Sequence, residues 1–447
     1  MQTFLYIGQN PRLLGKTQSS GRPGLGRPLF FESGVSLSYI VGSATPKFSS
    51  PILYTKTEMK LAQGHHLAYC TNVHRGNNWS ETFSSLQNEV MDVRKATCPH
   101  APYAIGLRLG ADAARELAQP QELENFKIWL EKENAYLFTI NGFPHGNFHG
   151  QRVKEQVYLP DWAVPERLNY TLSLFQILSH LLPEGTEGSV STLPASFKEF
   201  HPPHRLPEAA YQNLLHLAEE IERLSLEKNQ DLHLGMEPEP LGWFETIPET
   251  IQFMNQLFDR AEIPELVRRR VGVNYDCCHL AIEYEDAHQG LNLLQGSNIR
   301  LSKLHLSSAL RAQPTPENLA TLQSFVEQVY LHQVVRSKDG RVIDRFKDLD
   351  LALDVAKCGK DRSDEWRVHF HVPLHASPGN GLGDTQAHVL DTLDWLQKNP
   401  SACYHLEMET YTWEVLPPEM KSLSVVEQVT KEYEWTLNAL RQRGLAK

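Results

Sequence analysis

From residue 59 onward, short apolar runs alternate with stretches of three- and four-residue periodicity. The runs at 66–72, 104–109, 136–141, 188–193, 232–237, 271–276, 299–305 and 404–409 have the length and β-branched content of buried strands. Between them lie amphipathic patterns. Leu214, Leu217, Ile221 and Leu224 line one face of a helix expected over 208–227. Val425, Val429, Tyr433, Leu437 and Leu440 do the same over 424–441, with Ser422 or Ser424 as a capping residue. Strand and helix in strict alternation predict parallel β/α architecture. Eight strands with helices between them fit a closed (β/α)8 TIM barrel of α/β class better than an open sheet.

The rhythm breaks between His305 and Tyr404, where nearly a hundred residues stand in place of one helix. The pattern there predicts a long helix near 315–335, a turn at Ser337–Gly340, a helix near 345–356 and a further strand-like run at 367–374. We expect an insertion between the seventh and eighth strands, at about 311–375, over the barrel mouth. The alternative makes 367–372 the eighth barrel strand.

Composition narrows the class. Of 447 residues, 41% are hydrophobic and 22% charged, as in an ordinary globular protein. The net charge of −11 argues against a nucleic-acid binder and against docking on an anionic membrane. No run reaches the ~18 apolar residues of a membrane span. The six cysteines have no framework spacing, so reduced thiols in a cytoplasmic protein are expected. Residues 1–58 carry six Lys/Arg against two Glu, with Gly/Pro clusters. This segment is expected to be an over-extended start or a disordered extension, with the barrel over 59–447. A targeting reading lacks a continuous apolar core.

Chemistry concentrates where strands end. Glu237, Asp276, His305 and Glu409 each close one of the last four barrel strands. The carboxyl ends of parallel strands face one crevice, so these four converge without being near in sequence. Such a set suits one divalent cation; Mn, Mg, Zn and Co all remain open. A Glu after a strand also serves as a helix cap or Arg partner, which is why the set counts for more than any member. Glu407 shares a face with Glu409 one layer deeper, and Glu409 is preferred as nearer the open end. Glu237 and Glu409 are also the candidate proton-transfer groups.

Candidate substrate contacts surround this set. His279 follows Asp276 by one helical turn, and His369 and His371 alternate along 367–374, as ligands, substrate contacts or core histidines. Asn72 and His74 follow the first strand. His145, Asn147 and His149 sit in the glycine-bearing loop 141–150, and Tyr411 and Trp413 offer an aromatic wall. No phosphate-binding GxxxxGK[ST] and no GxSxG elbow occurs.

Taken together, these segments resemble the xylose isomerase-like barrel superfamily, which includes sugar isomerases, epimerases and apurinic endonucleases. The resemblance implies a cation held by Glu237, Asp276, His305 and Glu409. The strings at 66–74, 141–150, 237–240, 275–280 and 405–413 are more closely similar to the EboE family of metabolite-traffic clusters, over about 59–443. That resemblance implies handling of a small metabolite destined for export. Pro238-Glu239-Pro240 stands where hydride-shift isomerases often carry a lysine motif, and the acidic balance departs from DNA repair enzymes. The leading expectation is a metal-dependent isomerase or epimerase of a polyhydroxylated small molecule. A non-catalytic metabolite escort and a metal-dependent hydrolase are the alternatives.

Overall fold

The computed structural model describes residues 58–146, 152–201, 205–416, 421 and 423–447. The N-terminal segment set apart by composition lies outside these up to residue 57, as do Asn147 and His149.

Eight parallel strands form the centre: β1 (His66–Tyr69), β2 (Tyr103–Arg108), β3 (Ala135–Asn141), β4 (Gly188–Thr192), β5 (Leu232–Met236), β6 (Val271–Asp276), β7 (Leu301–Leu306) and, after the interruption, β13 (His405–Met408). Their order is β1-β13-β7-β6-β5-β4-β3-β2, and a parallel bridge between Cys70 and Gly106 joins the two ends. The result is a (β/α)8 barrel. Closure requires glycine at 106, because a Cβ there would overlap the Glu407 carboxylate and the Tyr69 carbonyl.

The helices follow their apolar stripes. Glu208–Lys228 buries Leu214, Leu217 and Ile221 and ends on Asn229 in the left-handed conformation, φ 51°. Val425–Gln442 opens with a reciprocal Ser424–Glu427 capping box.

The interruption folds as a second, antiparallel sheet built from β8 (Ser308–Ala312), β9 (Val334–Lys338), β10 (Arg341–Phe346), β11 (Glu365–Val372) and β12 (Gly383–Asp384), in the order β10-β9-β11-β8-β12. The run at 367–374 is therefore not a barrel strand; its β11 pairs with β8 and β9. Of two helix expectations here, one mostly fails and one is shortened. The helix near 315–335 shrinks to Pro316–Leu322 and one 3-10 turn, because the Glu327 carboxylate takes the Val329 and Tyr330 amides and turns the chain. The helix near 345–356 begins at Leu349, since 341–346 pairs with β9 across an Asp339–Gly340 turn with φ 51° and 72°.

Inside the barrel, side-chain alternation builds polar layers. His233 and His405 lie at the amino end of the strands. Lys303 and Glu407, both fully buried, pair at 2.6 Å in the middle. Above them stand His305, Asp276, Glu237 and Glu409.

Candidate metal centre

Each ligand candidate commits one atom to the protein and turns another toward a common centre. Glu237 Oε2 accepts from the Asn274 amide at 2.8 Å, leaving Oε1 inward. Glu409 Oε1 accepts from Asn72 at 2.8 Å and Asn141 at 3.1 Å, leaving Oε2. Asp276 caps the next helix, where its Oδ1 accepts from the His279 amide and from Ser307 Oγ, both at 2.9 Å. Asp276 Oδ2 is buried and accepts no hydrogen bond. His305 Nε2–H donates to Glu407 at 2.8 Å, which fixes its tautomer and leaves Nδ1 facing the carboxylates.

From that Nδ1 the three inward oxygens stand at 3.3 Å (Glu237 Oε1), 3.4 Å (Asp276 Oδ2) and 3.1 Å (Glu409 Oε2). Ligand–metal bonds of about 2.0–2.2 Å put neighbouring ligand atoms at about 3.0–3.5 Å, so the spacing suits an ion. All four side chains can offer donor atoms within 4.8 Å of one another. The buried Asp276 oxygen, which makes no hydrogen bond and has the His305 ring at 3.4 Å, is what such a group would satisfy.

The electrostatics follow from this crowding. Burial opposes charge on His305, but the Glu409 and Glu237 carboxylates overcome it and hold its pKa well above the ordinary imidazole value. Burial likewise opposes ionisation of Glu407, yet Lys303 and His305 hold it at about 2. For Glu239 the balance is reversed: burial pushes it up to about 8, against the weaker opposing pull of His279.

A histidine pair borders the centre. His279 Nδ1 stands 3.0 Å from the Pro238 carbonyl, and His369 Nδ1 stands 2.7 Å from Gln333 Oε1. Both Nδ1 protons are thereby committed, and the two Nε2 atoms meet at 3.0 Å, a separation that needs a proton between them. That proton belongs mainly to His279. Burial disfavours it there, but Asp276 and Glu237 raise the His279 pKa, whereas burial and His279 itself drive His369 well below its usual value.

Above the centre opens a pocket. Glu237, Glu409, Asn72, His279 and Tyr411 line it, together with Glu239, Tyr158, Gln333, His369 and Tyr330. His371 lies beside it, its Nδ1 donating to the Glu409 carbonyl at 2.9 Å while its Nε2 has no partner. Three candidates point elsewhere. His74 bonds Tyr69 Oη at 2.8 Å and faces a separate small pocket with Arg75 and Arg108. His145 packs on Tyr170, ring centroids 4.8 Å apart. Trp413 donates to the Leu423 carbonyl at 3.3 Å under Lys421.

Sequence reasoning did not select Glu239, Gln333, Tyr158 or Tyr330. The first had a signal, a carboxylate two residues past a ligand candidate; the others had none. Asn274 shares its strand face with Asp276, and its amide could have been read from that parity.

No protein-family model and no curated protein matches the chain. Among solved structures, it is similar to a xylose isomerase domain protein from Alicyclobacillus acidocaldarius, at 12% identity and TM-score 0.45, covering 84% of this chain and 98% of that one. It is also similar to the IOLI protein with a bound zinc atom, at 11% identity and TM-score 0.42 over 84% and 98% of the two chains. A third is the probable 3-DHS dehydratase AsbF of Bacillus anthracis, at 10% identity and TM-score 0.39 over 83% and 98%. The fold itself stands on the strand order above, a (β/α)8 barrel.

Proposed function

We propose that Glu237, Asp276, His305 and Glu409 hold one divalent cation, and that the protein is an isomerase or epimerase of a polyhydroxylated small molecule. The observation that carries this is the convergence of three carboxylate oxygens on His305 Nδ1 at 3.1–3.4 Å beneath an open cavity. A cation bound by these four residues would supply electrophilic polarisation of a substrate carbonyl.

The chain's own groups do the proton work. Of Glu237 and Glu409, one removes the proton from the carbon beside the carbonyl and the other returns it. The Asn274, Asn72 and Asn141 amides keep these carboxylates aimed. Protonated Glu239 stands on the cavity wall, where it can donate to a substrate oxygen, beside the His279–His369 pair that shares its Nε2 proton. Tyr158, Tyr330 and Tyr411 exclude water and pack on the carbon skeleton. The sequence strings that resemble the EboE family support a place in metabolite export, and the cysteine spacing supports a reducing compartment.

The test is deuterium exchange by NMR, with cation-loaded protein and a panel of aldoses, ketoses and hydroxy-keto acids. We expect solvent deuterium at the carbon beside the carbonyl, and its loss in Glu409→Gln. Near-normal turnover in that variant would remove Glu409 from the mechanism. No exchange with any member would favour the escort reading.

A further inference from the structure

A second polar cluster lies at the amino end of the barrel, away from the cavity. His233 and His405 are each 1% exposed, in adjacent layers of β5 and β13, with ring centroids 5.3 Å apart. His405 Nδ1 stands 2.8 Å from Ser189 Oγ, and that hydroxyl donates onward to Thr139 at 2.8 Å. The serine proton is therefore spent, so Nδ1 carries the hydrogen and Nε2 keeps a bare lone pair. Nε2 is buried and makes no hydrogen bond. His233 is more exceptional, since neither of its ring nitrogens makes one. Its Nε2 stands 3.5 Å from Glu187 Oε2, on the one member of the cluster that reaches solvent.

Two buried imidazoles leave three nitrogens without partners, and burial without partners is unfavourable. A group that accepts lone pairs would satisfy His405 Nε2 and one nitrogen of His233. We propose that His233, His405 and Glu187 form a second cation site, structural in role, for a borderline divalent ion of the zinc class. Two imidazoles and one carboxylate are a ligand set such ions prefer over magnesium or calcium. The three side chains can offer donor atoms within 4.8 Å of one another. The His405–Ser189 bond is the outer contact that orients a ligating imidazole. Burial, first, and the neighbouring Arg300 keep His233 neutral; burial and His233 do the same for His405, as ligation requires. Arg300 also pairs with Glu187 at 3.0 Å and with Asp231 at 2.8 Å, and Arg270 takes the other Asp231 oxygen at 2.7 Å, so both outer carboxylates are held in place by arginines. At this end of a barrel a bound ion ties β4, β5 and β13 together and serves stability, not turnover.

The test uses the full chain carrying Glu237→Ala and Asp276→Ala, which empties the upper site. After zinc loading and desalting, elemental analysis should give about one equivalent, and cobalt substitution should give the visible absorption of a four-coordinate site. Adding His405→Gln should remove it. Should that variant fail to fold, Glu187→Gln, at the solvent edge, should weaken zinc at least tenfold. No zinc in the folded double variant overturns the proposal. So does zinc retained unchanged through His405→Gln or Glu187→Gln. Failure of the upper site would show separately, as parent protein binding no more metal than the double variant.

Discussion

At His305 the count of protons decides what a cation must displace. Nε2–H is held by Glu407, so the extra proton that the raised pKa implies sits on Nδ1 among three carboxylate oxygens. Cation binding should release about one proton near neutral pH. Titration calorimetry in buffers of different ionisation enthalpy reads that number, and release of none would mean that His305 Nδ1 is not a ligand. Glu407 is the second residue on which the account turns. Glu407→Gln leaves all four ligand candidates in place but removes the carboxylate that orients His305, and should weaken the cation about 10–100-fold. It also leaves Lys303 buried without its partner, at a cost of about 3–5 kcal/mol in urea unfolding. Adding Lys303→Met should return much of that stability; no recovery would mean the pair is not the source. The wild-type pair has its own pH signature. Glu407 is held at about 2 against 4.5, so its contribution is present above 4.5 and lost as pH falls through that window.

Helix Val425–Gln442 carries the opposite case. Glu432 is 2% exposed on its inner face, and burial pushes the carboxyl from 4.5 up to about 8. Between those values the native chain keeps a proton that the unfolded chain releases, so stability falls as pH rises. Glu432→Gln should flatten the decline of the thermal midpoint across that window, and an unchanged slope would contradict it. The elements were legible to different degrees. The eight barrel strands could be read because each is a short apolar run between long amphipathic helices, and Ser424 could be read as a cap because Glu427 completes its box. The insertion resisted. Leu319, Leu322, Val326 and Val329 repeat at helical intervals, but Glu327 captures two backbone amides and ends the helix. No period reveals a side chain that competes for the backbone.

Across the whole molecule, the same division applies to the site. Glu237, Asp276, His305 and Glu409 could be picked from sequence because a barrel sends every strand end to one mouth. Glu407 and Glu409 both face inward, and the structure brings Glu409 to the other three while Glu407 holds the His305 ring from beneath. The cavity wall was legible in part. Asn72, His279, His369 and Tyr411 could be named from their places and an insertion over the mouth was expected, but Gln333 and Tyr330 arrive on the turn before the antiparallel sheet, and no spacing in the chain picks them out. Among the described residues no helix is long and apolar enough to cross a membrane. A ligand that binds only the native state raises stability by RT ln(1 + [L]/Kd), about 2.7 kcal/mol at a hundredfold excess over Kd. Chelation should therefore lower the thermal midpoint, and re-addition of the cation should restore it; a midpoint indifferent to both would argue against any resident ion.

The most direct measurement is anomalous diffraction from crystals grown with manganese or zinc, recorded above and below the metal edge. A peak is expected bonded to Glu237 Oε1, Asp276 Oδ2, His305 Nδ1 and Glu409 Oε2, at about 2.0–2.3 Å from each. No peak among these atoms at saturating cation, with the four side chains ordered, would contradict it.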